Sequence, residues 1–166
     1  LEETYLRIIS SKTAELFAAA TKVGAILSNV KTKEKEALEF YGRNLGLTFQ
    51  IADDTLDYNS ELKLFGKKIG KDFYEGKTTL PIILLFQKAN HKEKEILKGI
   101  FSKDSRDENN FNYTLSLIKQ YEIIKECYQK ANHYIKLASN SLSIFKDCNE
   151  RTILESLTSF SLSRDF

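Results

Sequence analysis

Proline is almost absent from this chain, at one residue in 166, and there are only seven glycines. So few backbone breakers argue against a turn-rich β architecture and for long helices. Methionine and tryptophan are missing altogether. The two cysteines, Cys127 and Cys148, have no Cys-x-x-Cys spacing and no secretory segment before them, so reduced cytosolic thiols are expected. His91 and His133 have no partner spacing and read as surface residues. No apolar run approaches the ~20 residues of a membrane span. Neither sign of charge dominates: 25 basic residues stand against 23 acidic, a net charge of +2. That balance argues against nucleic acid or an anionic membrane surface as a partner.

What is present is the material of a soluble, all-α domain covering residues 1–166. The hydrophobic content is 42% and the charged content 29%. Apolar residues recur at helical spacing nearly throughout. Residues 3 to 29 read as one helix, with Leu6, Ile9, Thr13, Leu16 or Phe17, Ala20, Val23 or Gly24, and Leu27 as its buried stripe and Asn29 as its stop. Residues 31 to 59 read as a second, with Thr32 as cap. Gly42 and Gly46, four apart, suggest close contact with another helix. A short, strongly apolar helix is expected over 79–89, with a buried strand as the alternative, and a surface helix over 91–101. The polar stretch 102–110 reads as a loop. Residues 111–146 carry one or two helices, broken near Tyr121-Glu122, and 150–162 the last.

The chemistry concentrates in residues 49–81. Asp53 and Asp57 are four apart and share a helix face; Asp54, three from Asp57, can reach the same side, and Gln50 extends the stripe one turn earlier. Acids at a helix C-terminus oppose the macrodipole, so the cluster asks for positive charge. A hard divalent cation would supply it. A solvated helix face has the same composition. The loop that follows, from Gly66 to Lys77, sets Lys67, Lys71 and Lys77 among glycines, as point charges for phosphate oxygens. An ordinary basic linker would also look this way. It is neither a Walker loop nor a Rossmann turn. Thr78-Thr79-Leu80-Pro81 marks a helix start.

Phe49-Gln50-x-x-Asp53-Asp54-x-x-Asp57, then Gly66-Lys67-x-x-Gly70-x-Asp72-x-x-Glu75-Gly76-Lys77-x-Thr79-Leu80-Pro81, closely resembles the second aspartate-rich region of the trans-isoprenyl diphosphate synthases, or polyprenyl synthetases. A second signature agrees: Tyr5-Leu6, Ile8 or Ile9, then Lys12-Thr13-Ala14-x-Leu16-Phe17. The resemblance implies an isoprenoid-synthase helical bundle and a prenyltransferase joining an allylic prenyl diphosphate to isopentenyl diphosphate. It implies that Asp53, Asp54 and Asp57 bind Mg²⁺, and that Lys12, Lys67 and Lys77 hold diphosphate oxygens. Thr13 and Gln50 would line the site of the allylic cation, with Asp72 in support.

The family's first aspartate-rich region has no counterpart here. The nearest acidic cluster, Asp104 to Glu108, contains Arg106 and lies in a loop-like stretch. The resemblance is therefore to the C-terminal half of such an enzyme, and the sequence lacks even an initiator methionine. Inactivity alone is expected, with a homodimer or a complementing N-terminal half as partner and the cytoplasm as location. The alternative is a non-catalytic, truncated helical module that pairs with another chain.

Overall fold

The computed structural model describes residues 1–59 and 69–161, and within them every regular element is helical. The order is α1 (Glu2–Ile9), a π turn (Ser10–Ala14), α2 (Glu15–Leu27), α3 (Thr32–Leu56), α4 (Lys71–Tyr74), α5 (Leu80–Lys88), α6 (His91–Phe101), α7 (Glu108–Gln120), α8 (Ile123–Ser141), a 3₁₀ turn (Leu142–Ile144) and α9 (Asn149–Phe160). The all-α expectation holds. No described helix is long and apolar enough to cross a membrane.

The first helical segment departs from the expected single helix. Its buried residues run Tyr5, Ile9, Ala14, Ala18, Ala25. The step from Ile9 to Ala14 is five residues where a regular helix would take four. That is what a π turn does: it inserts one extra residue and rotates everything after it. Much of the stripe expected beyond Thr13 consequently faces solvent, with Leu16 73% and Leu27 80% exposed and Val23 also exposed, while Phe17 is half-buried and packs on the Phe49 ring. Asn29 ends the segment as expected, in the left-handed region at φ 50°.

Helix termini follow local chemistry. Lys31, one residue before the expected cap, donates its N–H to the Glu34 carboxylate at 2.8 Å. Asn90 and Glu93 form a reciprocal capping box at the start of α6. Asp107 accepts the Asn110 N–H at 2.8 Å and starts α7. Thr79 is extended, and Pro81 sits in the first turn of α5, but the Thr79 hydroxyl makes no capping bond. Between α7 and α8 the break falls where expected, with Glu122 at φ 51°.

Internal contacts divide the chain into two compact units: Leu1–Glu2 with Asp53–Tyr128, and Glu3–Ala52 with the chain from Gln129 onward. In the second, α2 and α3 approach closely. A Cβ added to Gly46 would lie 2.6 Å from the Ala14 Cα, and one at Gly42 would lie 2.5 Å from the Phe17 carbonyl oxygen. The Thr21 hydroxyl bonds the Leu38 carbonyl at 2.6 Å. Tyr41, Ala138 and Leu142 form a buried cluster flanked by Leu38, Leu45, Phe145 and Leu154, and the Tyr41 hydroxyl donates to the Leu154 carbonyl at 2.7 Å. In the other unit, α5 is buried from Leu80 through Leu85, as its all-round apolarity requires. Phe73 is fully buried among the rings of Tyr74, Phe101 and Phe111.

Candidate functional site

The acidic end of α3 is folded against the lysine-bearing segment by one side chain. Asp57 Oδ1 accepts the N–H groups of Gly70 and Lys71, both at 3.0 Å, and its Oδ2 accepts that of Asp72 at 2.8 Å. The Asp57 carbonyl takes a further bond from the Gly70 N–H at 2.8 Å. Three consecutive N–H groups thus converge on one carboxylate, because Gly70, at φ 88°, turns the backbone into the start of α4. Burial pushes the Asp57 carboxyl up from its ordinary value and the nearby charge of Asp72 adds to this, while the three N–H donors pull it down.

The same turn carries Asp72 and Lys77. The Lys77 ammonium reaches Glu75 at 2.6 Å and Asp72 at 3.0 Å. Those two carboxylates, Glu75 first, raise its pKa above the ordinary lysine value. The Lys77 N–H bonds the Asp72 carbonyl at 2.9 Å, and the Gly76 N–H bonds that of Phe73 at 3.0 Å. Lys71 is exposed and lies 4.0 Å from Glu75. Lys67 and Gly66 fall outside the described residues, as does the tail with Arg164.

Of the remaining acids, Asp53 is exposed and has no hydrogen bond or ion pair among the described residues, whereas Asp54 is only 5% exposed. Among the described residues no three carboxylates, imidazoles or thiols converge as a closed metal cage. The donors that do occur are all hard oxygens. Magnesium commonly takes one or two carboxylates and completes its shell with water and phosphate oxygens, so an open site of this composition fits it. Asp57 brings less than its type suggests, since Oδ1 already accepts two bonds and Oδ2 one.

Lys12, Thr13 and Gln50 belong to the other compact unit. The π turn carries Lys12 and Thr13, with Lys12 exposed. The Thr13 hydroxyl donates to the Gln50 side-chain oxygen at 2.7 Å. Sequence reading paired these residues only through the resemblance; the π turn that presents them carries no residue-type signal. π turns cost regular hydrogen bonding and recur at functional sites.

Sequence reading also missed three groups near the Asp57 turn. Tyr58, next to Asp57, and Thr79 bury hydroxyls that meet no partner among the described residues other than each other. Burial raises the Tyr58 pKa, and the charges of Asp57, Asp72 and Asp54 raise it further. The third is Arg106, whose Nε is buried and has no partner among the described residues.

Among the described residues the fold is all-helical, with an acidic helix end pinned to a lysine-bearing turn, and comparison with known proteins places it in a family. The polyprenyl synthetase family model matches residues 1–118, so the chain belongs to the polyprenyl synthetase family. It is 36% identical over 164 residues to a short chain isoprenyl diphosphate synthase of Methanothermobacter thermautotrophicus, covering 99% of this chain and 50% of the relative. An octaprenyl diphosphate synthase of Escherichia coli is 32% identical over 170 residues, with 99% and 50% covered. Among solved structures, polyprenyl synthase from Caulobacter crescentus CB15, complexed with calcium and isoprenyl diphosphate, superimposes with a TM-score of 0.92 at 38% identity; 100% of this chain and 51% of that one are covered. The chain therefore spans about half the length of the relatives it matches.

Proposed function

We propose that this chain supplies the second aspartate-rich, Mg-diphosphate half of a trans-prenyltransferase, which condenses an allylic prenyl diphosphate with isopentenyl diphosphate. The observation that carries this reading is the Asp57 carboxylate, which closes the lysine-bearing turn onto the acidic end of α3. Asp53, Asp54 and the remaining lone pair of Asp57 would hold Mg²⁺. Bound there, the ion supplies Lewis-acid stabilisation of the diphosphate as charge develops on it. Lys77, with Lys67, neutralises diphosphate oxygens, and Asp72 holds the Lys77 ammonium until phosphate replaces it. Lys12 is assigned to the same leaving group. The Thr13 hydroxyl and the Gln50 carbonyl present dipoles rather than removable charge, so they stabilise an allylic cation without capturing it.

The half-length match favours a second reading beside this one: the 166 residues form one partial domain that is inactive alone and works beside an N-terminal half on another chain, or as a homodimer, in the cytoplasm. One experiment addresses both. The purified chain is titrated with Mg²⁺ and inorganic diphosphate in a calorimeter, then assayed for isopentenyl diphosphate condensation with and without the N-terminal half of a relative. Binding that Asp53→Ala abolishes, with turnover only in the mixture, is the expected result. Metal-independent binding, or none at all, would refute the diphosphate reading, and turnover by the isolated chain would refute the partial-domain reading.

A further inference from the structure

Arg106 has no carboxylate partner among the described residues, yet its Nε is buried. Burying a guanidinium without an opposing charge is costly unless its donors are used. Its donors are used on backbone. One terminal nitrogen donates to the Phe101 carbonyl at 3.0 Å, at the C-terminus of α6, where the helix dipole favours a cation. The other lies 3.5 Å from the Tyr74 carbonyl, at the end of α4. The Arg106 guanidinium also sits over the Phe101 ring, 5.4 Å from its centroid.

Between these anchors the guanidinium lies flat on Gly76. A Cβ at that position would stand 2.6 and 2.8 Å from its two terminal nitrogens and 2.9 Å from its central carbon, and Gly76 has φ 74°. The backbone turn demands glycine here, and a Cβ would also displace the guanidinium from its place. The next residue is Lys77. The turn's own bonds, Gly76 N–H to Phe73 and Lys77 N–H to Asp72, fix its curvature. Neither fixes where the turn stands relative to α6.

We infer that Arg106 is a positioning residue that clamps the Tyr74–Lys77 turn to the end of α6 and so sets where the Lys77 ammonium is delivered for diphosphate binding. The delivery half of this inference rests on the proposed diphosphate site; the clamp half does not. A guanidinium suits the task because its planar fork reaches two carbonyls at once while stacking on a ring. Lysine in its place would keep the charge and lose the fork.

The test uses the whole chain and compares wild type, Arg106→Ala and Arg106→Lys by amide hydrogen exchange and by calorimetric titration with Mg²⁺ and inorganic diphosphate. Exchange at the Gly76 and Lys77 amides should rise on the order of tenfold in both variants, while amides of α8 keep their protection. Diphosphate affinity should fall on the order of tenfold in both, since a displaced ammonium misses its phosphate. If Arg106→Ala does not fold, Arg106→Lys carries the same comparison. Unchanged exchange at Gly76 and Lys77 overturns the clamp. Raised exchange with full affinity, or affinity restored by lysine, overturns the delivery role. Absence of diphosphate binding by the wild type would instead refute the proposed function, and exchange alone would then judge the clamp.

Discussion

The Thr13 hydroxyl donates to the Gln50 side-chain oxygen at 2.7 Å, across 37 residues of sequence. The bond ties the π turn to α3 and fixes which face of the Gln50 amide is turned toward the threonine. Thr13→Val keeps the shape and removes the donor, leaving a part-buried acceptor without it. A loss of about 1 kcal/mol in chemical denaturation is expected, with Thr13→Ser retaining most of it. Equal stability of the valine variant and wild type would mean that the bond contributes nothing.

Asp53 and Asp57 should separate cleanly when each is replaced by alanine. Asp53 is exposed and pairs with no described residue, so Asp53→Ala should leave stability within about 0.5 kcal/mol of wild type. Asp57→Ala strips one acceptor from three N–H groups and should cost about 2 kcal/mol or more. Urea denaturation of the two variants measures the difference. Equal losses would show that the Asp57 turn is not held by its carboxylate.

Gly46 faces backbone rather than a yielding side chain: an added Cβ would lie 2.6 Å from the Ala14 Cα. Gly46→Ala gains helix propensity yet must push α3 from the π turn. A net loss of about 1–3 kcal/mol is expected. Gly24→Ala is the control, because nothing lies within 4 Å of its added Cβ; that variant should be neutral or stabilised. Thermal melts of both variants decide the matter.

Burial pushes the Tyr41 phenol up to about 12. In the unfolded chain it titrates near its ordinary value of about 10. The unfolded state therefore loses its proton first, so the contribution of Tyr41 is intact below pH 10 and declines as pH rises toward 12, at roughly 1.4 kcal/mol per unit. Tyr41→Phe should make the alkaline fall in stability shallower. It should also cost about 1 kcal/mol at neutral pH, because the Leu154 carbonyl loses its donor. Tyr58, also pushed up by burial, leaves part of the slope in place.

Much of the fold was legible because the helices are long, strongly periodic and punctuated by polar residues. The break at Glu122 was readable from pattern, although glutamate at φ 51° is an unusual way to make it. The buried run of α5, Leu80 through Leu85, announced itself by having no polar residue in it. The rest was hidden for physical reasons. Nothing in Ser10-Ser11-Lys12-Thr13-Ala14 says that a helix winds wider there, because the cause lies in α3, whose small Gly46 admits Ala14. The backbone bonds of Asp57 were hidden because composition shows charge and not what the charge already binds; its three N–H groups come from residues 13 to 15 positions later. Arg106 read only as a basic residue within an acidic loop, because holding main chain has no sequence pattern.

The π turn also makes the N-terminal segment tolerant of losing one residue at an internal point. Most helices tolerate a change of one residue only at their ends. Here, removing Ser11 would return the winding to its ordinary pitch, so the segment would still form. Ala14, Ala18 and Ala25 would then follow Ile9 at ordinary helical spacing and keep their inward places, whereas straightening the segment with Ser11 retained would turn Thr13 and Phe17 onto that face instead. Bulky side chains cannot enter a seam that alanines and glycines keep narrow, so this single surplus residue makes close helix contact compatible with the sequence on both sides of it.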